Sequence, residues 1–74
     1  MHLSNQRLLK AAQKMALPFL SEGYSIVTFF SYKNECLFIL NHPNGNVIKV
    51  RGSGEFVSIY KNKKFIKNVQ MRKY

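Results

Sequence analysis

Glu35-Cys36-Leu37-Phe38-Ile39-Leu40-Asn41-His42-Pro43-Asn44-Gly45-Asn46-Val47-Ile48-Lys49-Val50-Arg51 places two strand-like runs on either side of the chain's strongest turn signal. Pro43 pre-sets φ for the second position of a type I turn, Asn44 suits the third, and Gly45 suits the left-handed position that follows. The stretch therefore predicts a β-hairpin closed by a bulged three-residue loop. Loop length matters because side chains alternate along a strand, so a slip of one residue exchanges the two faces of the sheet. With Pro43 to Gly45 as the loop, His42 faces Asn46, Leu40 faces Ile48 and Phe38 faces Val50, while Ile39 faces Lys49 and Leu37 faces Arg51. A two-residue turn at Asn44-Gly45 would set Leu40 against Lys49 and Phe38 against Arg51, and would ask Pro43 for an N–H it lacks. The three-residue loop is expected, because it leaves one face wholly apolar.

Upstream of the hairpin, Leu8, Leu9, Ala12, Met15, Ala16 and Phe19 recur at helical spacing, with Ser4 or Asn5 available as N-cap. A helix over about 4–17 follows, ended or kinked at Pro18, with Gly23 punctuating its exit. Arg7, Lys10 and Lys14 lie three and four residues apart and form a basic stripe on the other side of that helix. Such a stripe can touch phosphate, and it is also what an ordinary solvated helix face looks like. Residues 24–32 are rich in β-branched and aromatic side chains and read as a first strand, turning at Lys33-Asn34. The hairpin supplies strands at 35–42 and 46–51. Gly52-Ser53-Gly54 reads as a flexible three-residue turn into a strand at 55–61, and Asn62-Lys63 as a turn into a last strand at 64–71.

This order predicts an α+β domain spanning 1–74: one N-terminal helix packed on one face of a four- to five-stranded antiparallel meander sheet. Carrying the register outward puts Val27, Phe29, Cys36, Phe38, Leu40, Ile48, Val50 and Phe56 under the helix, where they meet Leu8, Ala12, Met15 and Phe19. The opposite face then holds Ile26, Thr28, Phe30, Tyr32, Leu37, Ile39, Val47, Lys49, Val57 and Ile59, with Arg51 across from Glu55. That face is too apolar for open water. It calls for self-association as a homodimer, a partner protein, base stacking, or a sheet curled enough to bury both faces.

At 74 residues a single core is only just sufficient, so most apolar side chains are needed for folding. Twelve Lys and Arg against three Glu give a formal net charge of +9, which repels itself unless an anion is near, although a basic surface can also serve solubility alone. A lone cysteine, Cys36, excludes an internal disulfide and fits a cytosolic location. The first residues lack the layout of a signal peptide, and no apolar run approaches the roughly 20 residues that span a bilayer, so no membrane role is expected.

Catalysis is poorly provisioned. Glu22, Glu35 and Glu55 are isolated, His2 and His42 are far apart, Cys36 falls on a predicted core face, and no glycine-rich loop precedes a helix. No catalytic residue, metal ligand or cofactor is expected. The exception to weigh is metal-independent RNA cleavage by Lys, Arg, Tyr or His. The helix, Gly23-Tyr24 and a hairpin ending in His42-Pro43 bear a loose topological likeness to toxin–antitoxin RNases with a double-stranded-RNA-binding-like fold. Those toxins carry a catalytic His at the start of the second strand, where this chain has Asn34-Glu35-Cys36, and they end in a helix where this chain has strand-like residues. Only the gross shape carries over.

Binding is better provisioned. Lys61, Lys63, Lys64 and Lys67 cluster about Asn62, Arg72, Lys73 and Tyr74 follow, and Tyr60 and Phe65 are interleaved. Lysines about a turn contact phosphate, and aromatics between them stack on unpaired bases; a lysine-rich edge hairpin is also how β-proteins avoid aggregation. The leading expectation is a non-enzymatic, regulatory nucleic-acid-binding module for DNA or RNA, with Lys49 and Arg51 as secondary contributors. The rival is a small inhibitor or adaptor, of the sort mobile genetic elements encode, that docks an acidic protein through an apolar sheet face or edge. An RNase toxin stands third.

Overall fold

The computed structural model of the protein describes residues 3–70, with side chains from residue 7. A helix, α1 (Leu3–Ser21), precedes five strands: β1 (Ser25–Tyr32), β2 (Glu35–Asn41), β3 (Val47–Ser53), β4 (Phe56–Lys61) and β5 (Lys64–Gln70). The strands pair antiparallel in chain order, giving an open meander with β1 and β5 at its edges. α1 lies on one face, mainly over β2 and β3, touches β4 and β1 less, and does not reach β5. The face beneath α1 is called inner here and the other outer.

The β2–β3 hairpin has the expected register, with Leu40 opposite Ile48, Phe38 opposite Val50, Ile39 opposite Lys49 and Leu37 opposite Arg51. Its loop closes through His42 N–H to Asn46 O at 3.0 Å and Gly45 N–H to His42 O at 2.9 Å, with Gly45 at φ +96. Cys36, Phe38, Leu40, Ile48 and Val50 are all buried under α1.

Expectation and structure part at the helix end. α1 starts at Leu3, so Ser4 and Asn5 lie inside its first turn, and it continues past Pro18 to Ser21. Pro18 removes one helical hydrogen bond, but on the solvent side, where water can take the freed carbonyl. Ala16 is buried just before it, and Phe19 and Leu20, beyond it, pack against the core. The end is a Schellman closure: Tyr24 N–H donates to Phe19 O at 3.1 Å and Gly23 N–H to Leu20 O at 3.2 Å, with Gly23 at φ +104. The ring contact of that motif is present as well, with Phe19 and Tyr24 edge to face at 5.7 Å.

The second difference changes both faces of the sheet. Gly52 and Ser53 belong to β3, and the chain turns at Gly54-Glu55, so Arg51 faces Ser58 and not Glu55, and Gly52 faces Val57. Val57 and Ile59, expected on the outer face, are in the core, and Phe56, expected inside, is 44% exposed on the outer face. The cause is steric. A Cβ built on Gly52 would lie 2.8 Å from Cys36 Sγ and 2.9 Å from Leu8 Cδ1, so this glycine serves close helix–sheet approach and not a turn. In β1 a bulge between Ile26 and Thr28 makes Ile26, and not Val27, the partner of Leu40, and leaves Val27 exposed. Phe29 does face Phe38, ring to ring at 5.0 Å, but it stays half exposed because α1 leans away over β2 and β3.

Gly52→Ala should therefore lower the free energy of unfolding by about 1–3 kcal/mol through overpacking. Leu8→Ala alone should cost about 2–5 kcal/mol by leaving a cavity. In the Gly52→Ala background its cost should shrink, a coupling that urea unfolding of the double-mutant cycle reads directly.

Candidate nucleic-acid interface

The outer face is ordered by the strand pairing into rows running across the sheet. One row is Phe30, Leu37, Arg51, Ser58 and Asn68; the next is Thr28, Ile39, Lys49, Tyr60 and Phe65. Removing Val57 and Ile59 and adding Ser58 and Tyr60 makes this face mixed instead of continuously apolar. Cations hold its centre: Lys49 and Arg51 are exposed on β3, and Lys49 Nζ sits 5.3 Å from the Tyr60 ring centroid. Aromatics hold its sides. Phe30 and Tyr32 lie 6.4 Å apart on β1, and Tyr60 meets Phe65 edge to face at 5.8 Å across β4 and β5.

The basic residues expected to form one surface are divided by the sheet. Lys49, Arg51, Tyr60 and Phe65 lie on the outer face. Lys61 pairs with both Ile48 and Lys64, and Lys67 with Ile59, so Lys61, Lys64 and Lys67 stand on the inner side, on the strip of β4 and β5 that α1 leaves bare. Lys63 is in the turn between them and lines an outer-face groove with Ile39, Val47, Lys49, Tyr60 and Asn62. The lysines thus wrap one corner of the sheet. Arg7, Lys10 and Lys14 form a separate stripe on α1, lining a shallow depression with Ala11 and Met15. Arg72, Lys73 and Tyr74 lie outside the described residues. Phe30, Tyr32 and Phe56, absent from the expected site, share the outer face; the alternation of β1 already pointed to the first two, whereas Phe56 depended on the unexpected turn.

That corner is built by asparagine chemistry. Asn62 and Lys63 both adopt left-handed backbone, φ 51 and φ 72, as a two-residue type I′ turn requires. Asn62 N–H donates to Val47 O at 2.8 Å, and the Asn62 side-chain oxygen accepts from Val47 N–H at 2.8 Å. The side chain thereby replaces the backbone carbonyl that the turn has carried away, and the β3–β4 ladder gains one more step. Its amide also donates to Asn46 Oδ1 at 3.1 Å, which ties the β4–β5 turn to the β2–β3 loop. The hairpin at Asn62 is consequently part of the sheet and not a projecting ribbon.

His42 works beside it as a structural clamp. Its Nε2 donates to Glu22 O at 3.1 Å while Nδ1 accepts from Asn44 N–H at 3.1 Å, and the ring packs on Tyr24 at 4.8 Å. Both nitrogens are thus engaged by backbone, and the helix exit is fastened to the hairpin loop. Cys36 is buried, its Sγ–H directed at Leu8 O at 3.9 Å, and burial pushes the thiol's pKa up, away from nucleophilic thiolate. Among the described residues no group of three or more His, Cys, Asp or Glu could hold a metal ion, and no helix is long and apolar enough to cross a membrane.

Compared with family models, curated proteins and solved structures, the chain has no match.

Asn62→Ala removes the acceptor for Val47 N–H and puts a Cβ-bearing residue without a local hydrogen bond at positive φ, so it should destabilise the protein by about 1–3 kcal/mol. Asn62→Gly keeps the backbone geometry and should cost less. Thermal or urea unfolding of the two variants measures the difference, and equal losses would mean that the turn conformation contributes nothing.

Proposed function

We propose that the protein is a small, non-enzymatic, regulatory nucleic-acid-binding module that grips phosphate through the lysines at the Asn62 corner. One observation carries the reading. Lys61 and Lys64 face each other directly across β4 and β5, and Lys63, between them, sits in left-handed backbone. Like charges directly opposite in a sheet are unfavourable, and a left-handed lysine costs roughly 1–2 kcal/mol that glycine would avoid. Lys33 is left-handed too, at the far turn (φ 52), so the weight falls on the opposed Lys61 and Lys64 with Lys63 between them, a set of three cations that a polyanion lying over the corner satisfies together. A net charge of +9 and nearby Lys49 and Arg51 extend the attraction. The engagement of both His42 nitrogens supports a binding role over RNA cleavage.

A specific feature favours a second reading, protein binding through an edge. β1 carries no charged residue from Ser25 to Tyr32, is exposed along its length, and shows large apolar side chains on both faces. The β5 edge, by contrast, is guarded by Lys64 and Lys67. An unguarded edge accepts an added strand, as a small inhibitor or adaptor would use it. Capture from nuclease-treated lysate separates the two: an adaptor keeps its partner, and a nucleic-acid binder loses it.

The leading reading is tested by a salt series. With about three phosphates engaged, affinity should fall roughly fortyfold on a duplex, or roughly twentyfold on a single strand, between about 50 and about 200 mM salt. Absence of binding at the lower concentration, or binding indifferent to salt, would refute it. Lys63→Gly should raise unfolding stability by roughly 0.5–1 kcal/mol while weakening nucleic-acid binding and flattening the salt slope by about one unit. A variant both more stable and equally tight would remove Lys63 from the interface.

A further inference from the structure

The outer face constrains which form of nucleic acid can be read. Five strands at about 4.8 Å spacing make a surface about 19 Å across, wider than the roughly 12 Å major groove of a duplex. The narrower β4–β5 ribbon cannot enter a groove alone, because β4 is hydrogen-bonded to β3 along its length and Asn62 ties its turn to Val47 and Asn46. An undistorted B-form duplex therefore meets this face through its phosphates and not through its major-groove base edges.

An unpaired strand meets no such limit. At the Asn62 end the outer face holds an open groove of about 410 Å³, with Ile39 and Val47 as apolar floor, Tyr60 as one wall, and Lys49 and Lys63 at its rim. Phe65 continues the wall and is 59% exposed, a solvent-facing ring with no fold-level need for that exposure. Charge favours an anion at the groove: Lys49 and Lys63 line it and no carboxylate does, whereas Glu35 and Glu55 lie at the opposite end of the sheet, beside the Lys33-Asn34 and Gly54-Glu55 turns.

We propose that this groove binds an unpaired stretch of nucleic acid, with bases stacked on Tyr60 and Phe65 and flanking phosphates on Lys49, Lys63 and Arg51. The proposal rests on the nucleic-acid reading above and adds the form of the ligand and the residues that select it. Stacking uses the π-face that every base has, and the lysines contact phosphates that RNA and DNA share, so recognition is of single-strandedness and not of sugar or sequence.

The test is fluorescence anisotropy with labelled oligouridylate, oligothymidylate and a blunt DNA duplex of the same length, using the full chain. Both single strands should bind several-fold tighter than the duplex and within about threefold of each other. Phe65→Leu and Tyr60→Leu should each weaken the single strands roughly tenfold and leave duplex affinity unchanged. Tyr60→Phe should restore binding, and Leu17→Ala, on α1 at the other side of the sheet and 58% exposed, should have no effect. Thermal unfolding of each variant confirms that it is folded; because Phe65 is largely exposed, its variant tests the idea even if Tyr60→Leu unfolds. Duplex binding as tight as single-strand binding, or single-strand affinity unmoved by Phe65→Leu, would overturn the inference while leaving the general function standing. If none of the three probes binds, both fail.

Discussion

The tight contact between helix and sheet, where Leu8 of α1 meets Cys36 and Gly52, is the constraint on which the other placements depend. A Cβ there would come within 3.0 Å of Cys36 Sγ and Leu8 Cδ1, so those side chains would have to shift. Keeping Gly52 in β3 moves the next turn to Gly54-Glu55, and this sets the register of β4 and, through it, β5. Val57 and Ile59 then complete the core, while Ser58 and Tyr60 turn outward beside Arg51 and Lys49. The composition of the outer face is thus a consequence of one steric contact on the inner one.

A single helix over an open sheet cannot treat all five strands alike. α1 covers β2, β3 and part of β4, which is where the alternation of buried and exposed residues is regular. β1 and β5 are left with exposed faces and free edges, and they differ in kind. β5 carries Lys64 and Lys67, which keep an edge soluble; β1 carries uncharged aromatic and branched residues, which do not. A chain of this size has little apolar surface beyond what its core uses, and the rings of β1, β4 and β5 stay exposed outside that core.

The corner at Asn62 joins architecture to chemistry. Helix exit, hairpin loop and β4–β5 turn converge there, held by the Schellman closure at Gly23, the His42 clamp and the Asn62 side chain. These bonds position residues that repel or strain one another: Lys61 against Lys64, and Lys63 in left-handed backbone. A corner held by several bonds at once is ordered in advance, and pre-ordering lowers the cost of any binding.

Local chemistry, which needs only neighbouring residues, was legible in the chain. Pro43-Asn44-Gly45 set its own loop and so the register of β2 with β3; the helical spacing from Leu8 to Phe19 announced α1, and Gly23 its exit; Asn62-Lys63 announced its turn. The fold class and the basic, aromatic character of the site follow from these. What required the tertiary structure were the choices that distant residues make. Pro18 stays helical because Ala16, Phe19 and Leu20 dock on the core, and Gly52 is a strand residue because Leu8 presses on it. His42 is a clamp because Glu22 lies within reach, and the lysines about Asn62 divide between two faces because a bulge in β5 and the shifted β4 register place them so. Turn propensity is a property of a few adjacent residues, whereas register beyond the first hairpin is decided by which side chains fit under a helix more than forty positions away in the chain.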